Sequence, residues 1–278
     1  MKIIIQKPDL DTCLTALIIE VTEGDEVHVV KGTASKGNLM DPSVLCIEAG
    51  GSGSTNLNNF DHHDVGARLP PACRQAFEKV KPTMKGLERL IEYVCAVDEA
   101  RGLPVPIPFP SLSNIFSGML LVEKDRKEQF FKGIAILRKA LEDNIDPFGT
   151  MPDIEDWRLY RSVKEENMAQ VAQALKDTKF HQSKGGLKMG YLESDSIGGI
   201  GALYEQGCQV VVMYSPSFGN PPVRKFTIAG NGVEVYHLVE HFNKVEPDWG
   251  GQATIIGSPR SGTRIDVEQV IRTVKEYM

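Results

Sequence analysis

Acidic residues and histidines punctuate the first third of this chain in a pattern suited to metal chemistry. Asp9 and Asp11 follow the apolar run Lys2–Ile5, and Glu48 closes a second run, Ser43–Ile47. The cluster Asp61-His62-His63-Asp64 follows the short approach Leu57–Phe60, and Asp98 ends the helical period of Met84–Val97. In an open parallel sheet the carboxyl ends of the strands form the ligand crevice. Carboxylates gathered there would repel one another unless something positive stood between them, and a pair of divalent cations meets that need. Oxygen and imidazole ligands without a thiolate suit Mn²⁺, with Mg²⁺ as the harder alternative. The chemistry on offer is hydrolysis by water activated at a metal.

Each of these residues also has a plainer reading. An Asp just ahead of a helix accepts backbone N–H bonds, so Asp9 and Asp11 could be caps. His62 and His63 could be surface histidines, and Glu48 a solvated residue at a strand end. Asp98 could pair with Arg101, one turn further on.

Placing the candidates together requires a particular set of elements. Lys2–Ile5 is β-branched and stops before Pro8, so it reads as a buried strand. Leu14, Leu17 and Ile18 recur at helical spacing after Asp11. Glu26–Lys31 and Ser43–Ile47 are further strands, and Leu87, Leu90, Ile91 and Val94 mark a helix that delivers Asp98. Strands alternating with helices predict an α/β fold with a mainly parallel sheet in the N-terminal domain. The proline-rich stretch Gly102–Asn114 reads as an extended connection, and Glu123–Asn144 and Ile154–Thr178 as long amphipathic surface helices. Strands resume at Leu187–Leu192, Gln209–Tyr214 and Arg224–Ile228, while Val233–Phe242 and Asp266–Tyr277 have helical periods. Gly198-Gly199-Ile200-Gly201 lacks the spacing of a dinucleotide fingerprint and reads as a tight helix start. The expected organisation is an N-terminal metal-binding α/β domain over 1–122, a helical connector over 123–182 and a smaller C-terminal α/β domain over 183–278.

Composition excludes several classes. The 278 residues carry 31 Lys+Arg against 37 Asp+Glu, a net charge of −6, which lacks the footprint of a strong non-specific nucleic-acid binder. No apolar run approaches the ~20 residues that span a bilayer, and the first ten residues are too short and polar for a signal-peptide core. The five cysteines form no C-x-x-C pair and read as reduced thiols, so a cytoplasmic location is expected.

Taken in order, Pro8-Asp9-Leu10-Asp11, the strand-closing Glu48, Asp61-His62-His63 and Asp98 resemble the four motifs of the DHH phosphoesterase family. That family includes manganese-dependent pyrophosphatases, exopolyphosphatases, RecJ-type exonucleases and hydrolases of oligonucleotides and cyclic dinucleotides. Its members combine an N-terminal two-metal α/β domain with, usually, a smaller domain that closes over the substrate. The resemblance implies that Asp9 binds one metal and Asp11 the other, that Glu48 stands at the bridging position, and that His62 and Asp98 complete the second metal. It further implies that Asp61 orients a neighbouring His and that His63 faces the phosphoryl group. Two positions depart from the pattern: Ile5 stands where the family has a His ligand, and Glu48 where it has an Asp.

Near the C-terminus, Gly257-Ser258-Pro259-Arg260-Ser261-Gly262-Thr263-Arg264 is a glycine-bounded loop with two arginines ahead of a helix, a setting that favours an anion. It resembles the glycine-rich substrate loop of DHH-associated domains, with Ser258 in the place of a His. Gly257, Ser258, Arg260 and Arg264 are therefore the expected substrate-binding residues, with Arg224 and Lys225 adding positive charge nearby. Thr263 stands at the Lys position of a P-loop, which argues against nucleotide triphosphatase activity. The function expected is metal-dependent hydrolysis of a phosphoanhydride or phosphodiester in a short oligonucleotide, cyclic dinucleotide or polyphosphate, in a cleft between the domains. The alternative is a degraded DHH-type protein that binds or senses a phosphorylated ligand. No membrane partner is expected, and a homodimer is left open.

Overall fold

The computed structural model describes residues 1–63, 68–104, 106–219 and 221–278, so Asp64 lies outside the described residues. The chain divides into two compact units, Met1–Lys164 and Glu165–Met278.

The first unit is built on four parallel strands, β1 (Lys2–Ile5), β2 (Glu26–Val29), β3 (Val44–Ile47) and β4 (Asn59–Phe60), in the order β2-β1-β3-β4. Alternation along β1 sends Ile3 and Ile5 into the main core and Ile4 to the other face, with Val44 and Cys46. Burial on both faces explains why β1 and β3 read as continuous apolar runs.

Helix α1 (Leu10–Ile18) leaves the end of β1 and is buried at all nine positions. After the short α2 (Lys36–Met40) come α3 (Ala72–Val80), α4 (Leu87–Asp98), α5 (Leu112–Val122) and α6 (Arg126–Glu142). The amphipathic stripe of α6 buries Phe130, Ile134 and Leu137 in the same core as α1. The expected connection over 102–114 holds only as far as Ser111. There Ser111 and Asn114 form a capping box that starts α5, behind a run of prolines that hides the start.

Helix α7 (Arg158–Leu175) contributes Tyr160 to this core and Ala174 and Leu175 to the second unit. That unit holds a six-stranded sheet in the order β5-β6-β7-β8-β10-β9. Its strands are β5 (Lys179–Gln182), β6 (Lys188–Glu193), β7 (Val210–Phe218), β8 (Val223–Gly230), β9 (Gly250–Gln252) and β10 (Ile255–Gly257), and only β6 and β7 run parallel among the described pairs. Val210, Val212 and Tyr214 face a core with Phe226 and Trp249, while Val211 and Met213 meet Leu192 and Leu203 on the opposite face. Three helices complete the unit: α8 (Gly199–Glu205), α9 (Leu238–Asn243) and α10 (Val267–Tyr277). The helical period of 233–242 is thus realised only in its second half. No described helix is long and apolar enough to cross a membrane.

One close approach fixes how α1 seats. A Cβ built on Gly133 of α6 would lie 2.7 Å from Cys13 Sγ on α1 and 2.8 Å from the Phe116 ring on α5. Gly133→Ala gains up to about 1 kcal/mol of helix propensity, whereas overpacking a tight core costs about 1–3 kcal/mol. Steric cost should win. Denaturant unfolding is expected to show a net loss for Gly133→Ala, and a gain in stability would show that α1 and α6 are not locked at this contact.

Candidate metal centre

Four side chains from four separate segments converge at the crevice end of the first sheet. Asp11 sits in the first turn of α1, Glu48 follows β3, His62 follows β4 and Asp98 is the last residue of α4. A ligand atom from each lies within 4.8 Å of all the others. His62 Nε2 is 3.3 Å from Glu48 Oε1, 3.3 Å from Asp98 Oδ2 and 3.9 Å from Asp11 Oδ2. His63 Nε2 also lies 3.3 Å from Glu48 Oε1, with its side chain 52% exposed at the mouth of the cluster.

Backbone and side-chain donors hold these groups from behind. Asp11 accepts the N–H groups of Ala72 (2.7 Å) and Cys73 (2.8 Å), the first amides of α3, a helix with no side-chain cap of its own. Thr12 Oγ1 donates to Glu48 Oε2 at 2.9 Å. Glu48 has φ of 47°, a left-handed conformation uncommon outside glycine, which swings its carboxylate out of the strand direction. Gly50 turns the chain just beyond, at φ 98°, where a Cβ would lie 2.4 Å from Thr33 Cγ2. Asp61 is buried and accepts the N–H groups of Gly50 (2.7 Å) and His63 (2.9 Å), so its carboxylate shapes the loop that carries both histidines. Gln75 Nε2 donates to the Asp61 carbonyl at 2.9 Å and fastens that loop to α3. Neither Thr12 nor Gln75 was signalled by residue type alone.

Two atoms in the cluster have no hydrogen-bond partner although they are buried: Glu48 Oε1 and His62 Nε2. Such groups cost about 1–3 kcal/mol or more unless something satisfies them. Three carboxylates and an imidazole nitrogen, aimed at one point, fit a divalent cation of Mn²⁺ or Mg²⁺ type.

The electrostatics of the metal-free cluster agree with that need. Burial, reinforced by the neighbouring Glu48 charge, pushes Asp11 up to about 7. Burial also raises Glu48 and Asp98, in the latter case against the pull of His62. Glu48, close to His62 Nε2 but off the hydrogen-bond line, is the largest cause lifting His62 to about 9, with Asp98 and Asp11 adding to it against burial.

Asp9 stands outside the four-group cluster. Its Oδ1 accepts the Thr12 N–H at 3.0 Å and caps α1, while its Oδ2 pairs with Lys7 Nζ at 2.8 Å. Lys7 and the capping bond hold its carboxyl below the usual range despite burial. The plainer reading of Asp9 as a cap is therefore realised, whereas Arg101 pairs with Glu99 rather than with Asp98.

In the second unit, the buried Ser258 hydroxyl accepts the Phe226 N–H at 3.0 Å and extends the pairing of β10 with β8. Gly257 ends β10, and Lys225 Nζ donates to the Ser258 carbonyl. Arg224 bonds the Tyr214 hydroxyl at 2.9 Å. Glu246 accepts from Thr263 Oγ1 (2.5 Å) and the Arg264 N–H (2.8 Å), and Asp266 caps α10. Donors at this helix start are thus already taken by the chain's own carboxylates. What the loop offers an anion is the exposed side chains of Arg260 and Arg264.

No family model matches the chain, and no curated protein matches it. Among solved structures it is similar to PggH, a pGpG-specific phosphodiesterase from Vibrio cholerae, with a TM-score of 0.62 and 14% identity over 98% of this chain and 96% of that one. It is also similar to the DHH domain of a protein described as a member of a ribosomal-protein family, with a TM-score of 0.54 and 11% identity over 98% of this chain and 85% of that one. The chain has the DHH fold.

Two outcomes follow from the cluster. Folded-state values of about 7 for Asp11 and about 9 for His62 lie above the ordinary values of 3.8 and 6.5, so both groups stabilise the metal-free fold when protonated. That stability is lost as pH rises through about 7 and then about 9, while a cation, which must displace the same protons, binds better. Thermal unfolding should show the metal-free midpoint falling from pH 6 to 9 and the Mn²⁺-induced upshift growing; an upshift independent of pH would rule out these ligands. Thr12→Val should weaken Mn²⁺ binding by about 10–100-fold in calorimetric titration, the usual cost of losing a group that orients a ligand.

Proposed function

We propose that the chain is a metal-dependent phosphoesterase that hydrolyses a phosphoanhydride or phosphodiester, with Mn²⁺ as the preferred ion and Mg²⁺ as the alternative. The observation that carries this reading is the convergence of Asp11, Glu48, His62 and Asp98 ligand atoms within 4.8 Å of one another, with Glu48 Oε1 and His62 Nε2 buried and 3.3 Å apart yet without a hydrogen bond. Asp11, Glu48, His62 and Asp98 hold the ion. When bound, the ion supplies a water of lowered pKa and a Lewis acid for the phosphoryl group.

The remaining roles belong to the chain's own residues. His63, exposed beside Glu48 and with its ring centroid 4.3 Å from that of His62, faces the phosphoryl group and can hold or pass a proton at Nε2. Asp61 keeps His63 in place through the backbone N–H it accepts. Arg260 and Arg264 bind substrate phosphate through their guanidinium groups, with the backbone of Gly257 and Ser258 shaping their loop. The substrate is a phosphorylated small molecule or a short oligonucleotide. Because a structurally similar protein is described as pGpG-specific, that linear dinucleotide heads the substrate panel.

A second reading keeps the fold and the ion but assigns binding of a phosphorylated ligand without turnover. Ile5 favours it, since a fully buried isoleucine stands where the family resemblance puts a metal-ligating histidine.

Product release from pGpG, other short oligonucleotides, cyclic dinucleotides and polyphosphates, measured with Mn²⁺ and with EDTA, separates the two. The phosphoesterase reading expects Mn²⁺-dependent turnover that falls at least about 100-fold in His62→Ala, more than an orienting group alone would cost. Ligand binding and retained Mn²⁺ without turnover on any substrate would move the assignment to the binding protein.

A further inference from the structure

The resemblance to a two-metal family is met on one side of the cluster only. Asp11, Glu48, His62 and Asp98 form a complete four-group set, whereas the residues expected around a second ion do not. Ile5 brings no ligand atom and is buried in the core beneath the sheet end. Asp9 has both oxygens engaged, one by the Thr12 N–H and the other by the Lys7 ammonium. Asp9 and Glu48 alone make a poor site for a second Mn²⁺, since Asp9 already has a cation against it. The one other metal-competent group among the described residues, Glu48 with His62 and His63, draws on the same Glu48 and His62 as the first.

Lys7 is held in that position by its neighbours in the chain. Pro8 is buried and restricts the residue before it to extended conformations, so the Lys7 backbone has little freedom. Its ammonium lies 2.8 Å from Asp9 Oδ2 and also lies in the fields of Glu48 and Asp98. The side chain is 60% exposed, so an ammonium with three donors, paired to one carboxylate, stays open to a further acceptor. One divalent cation and one ammonium leave the carboxylates of Asp9, Asp11, Glu48 and Asp98 a single negative charge in excess. A phosphoryl oxygen arriving there would meet a point-charge donor of the kind lysine supplies in many phosphate sites.

We propose that this is a single-metal centre in which the Lys7 ammonium, paired with Asp9, takes the place of a second divalent cation and serves as a fixed donor to a phosphoryl oxygen. The inference rests on the reading of Asp11, Glu48, His62 and Asp98 as a metal site.

Equilibrium dialysis of the full chain against Mn²⁺, with metal content read by atomic emission, tests it directly. One equivalent per chain is expected at saturation. Lys7→Met removes a like charge from beside the ion and should tighten that equivalent about fivefold, as Coulomb's law gives for a divalent ion and an ammonium several ångströms apart in a water-like medium. Lys7→Arg keeps the charge and should bind like the wild type. Two equivalents in the wild type would overturn the single-metal centre while leaving the metal-dependent reading standing, as would unchanged affinity in Lys7→Met. No bound Mn²⁺ at all would overturn both.

Discussion

Negative charge that water cannot reach is the constraint around which the first unit is arranged. Asp11 and Glu48 are each 1% exposed and lie close enough for their charges to oppose each other. The effective penalty for burying an ion is several kcal/mol, and a hydrogen bond to a charged group returns only about 1.5–3 kcal/mol. Two α3 amides go far toward offsetting the cost of Asp11. Glu48 has one hydroxyl bond, a left-handed backbone and two histidines at 3.3 Å, so its charge is offset only when those imidazoles carry protons or a cation stands among them. The deficit is met by protons on the neighbouring groups or by a cation among them. The loop shaped by Asp61, the anchor of Gln75 and the helix end that presents Asp98 hold those groups in place.

Ile5 shows what competes with ligand supply at this place. A fully buried isoleucine contributes about 1.5–3 kcal/mol through the apolar surface it withdraws from water. The strand that carries it packs in the same core as α1, a helix buried at all nine positions, so an imidazole at residue 5 would give up that apolar burial. Packing is satisfied at residue 5 and charge at residue 7. The longer Glu48 fits the same arrangement, because its reach brings one oxygen to Thr12 and the other to both histidines.

Much of this was legible in the sequence where local chemistry and tertiary role coincide. The β-branched run at 2–5 and the acid after 43–47 announce strands and their ends, and the period ending at Asp98 announces a helix. The order of motifs gave the DHH fold, which no sequence-level match supplies. What could not be read was long-range pairing. Nothing near residue 72 says that its amide will bond Asp11, and nothing near Ser258 says that Phe226 will occupy its hydroxyl. Prolines between 104 and 110 concealed a helix start, because the capping box of Ser111 and Asn114 lies just past them. Nor does the residue type at position 7 say which carboxylate its ammonium meets.

The borrowed cap on α3 bears on the order in which the chain can assemble. Helix ends leave amides unsatisfied, and most helices meet that need with a residue a few positions away. Here the acceptor comes from 61 and 62 residues upstream, so closing a long loop precedes any benefit to the helix. The start of α3 therefore gains its cap in a step dominated by distant contacts, which are the slow ones in folding, whereas α1 is capped by its neighbour Asp9. During synthesis, the carboxylate of Asp11 waits until residue 73 has emerged. The crevice takes shape only when the chain has returned to its own beginning.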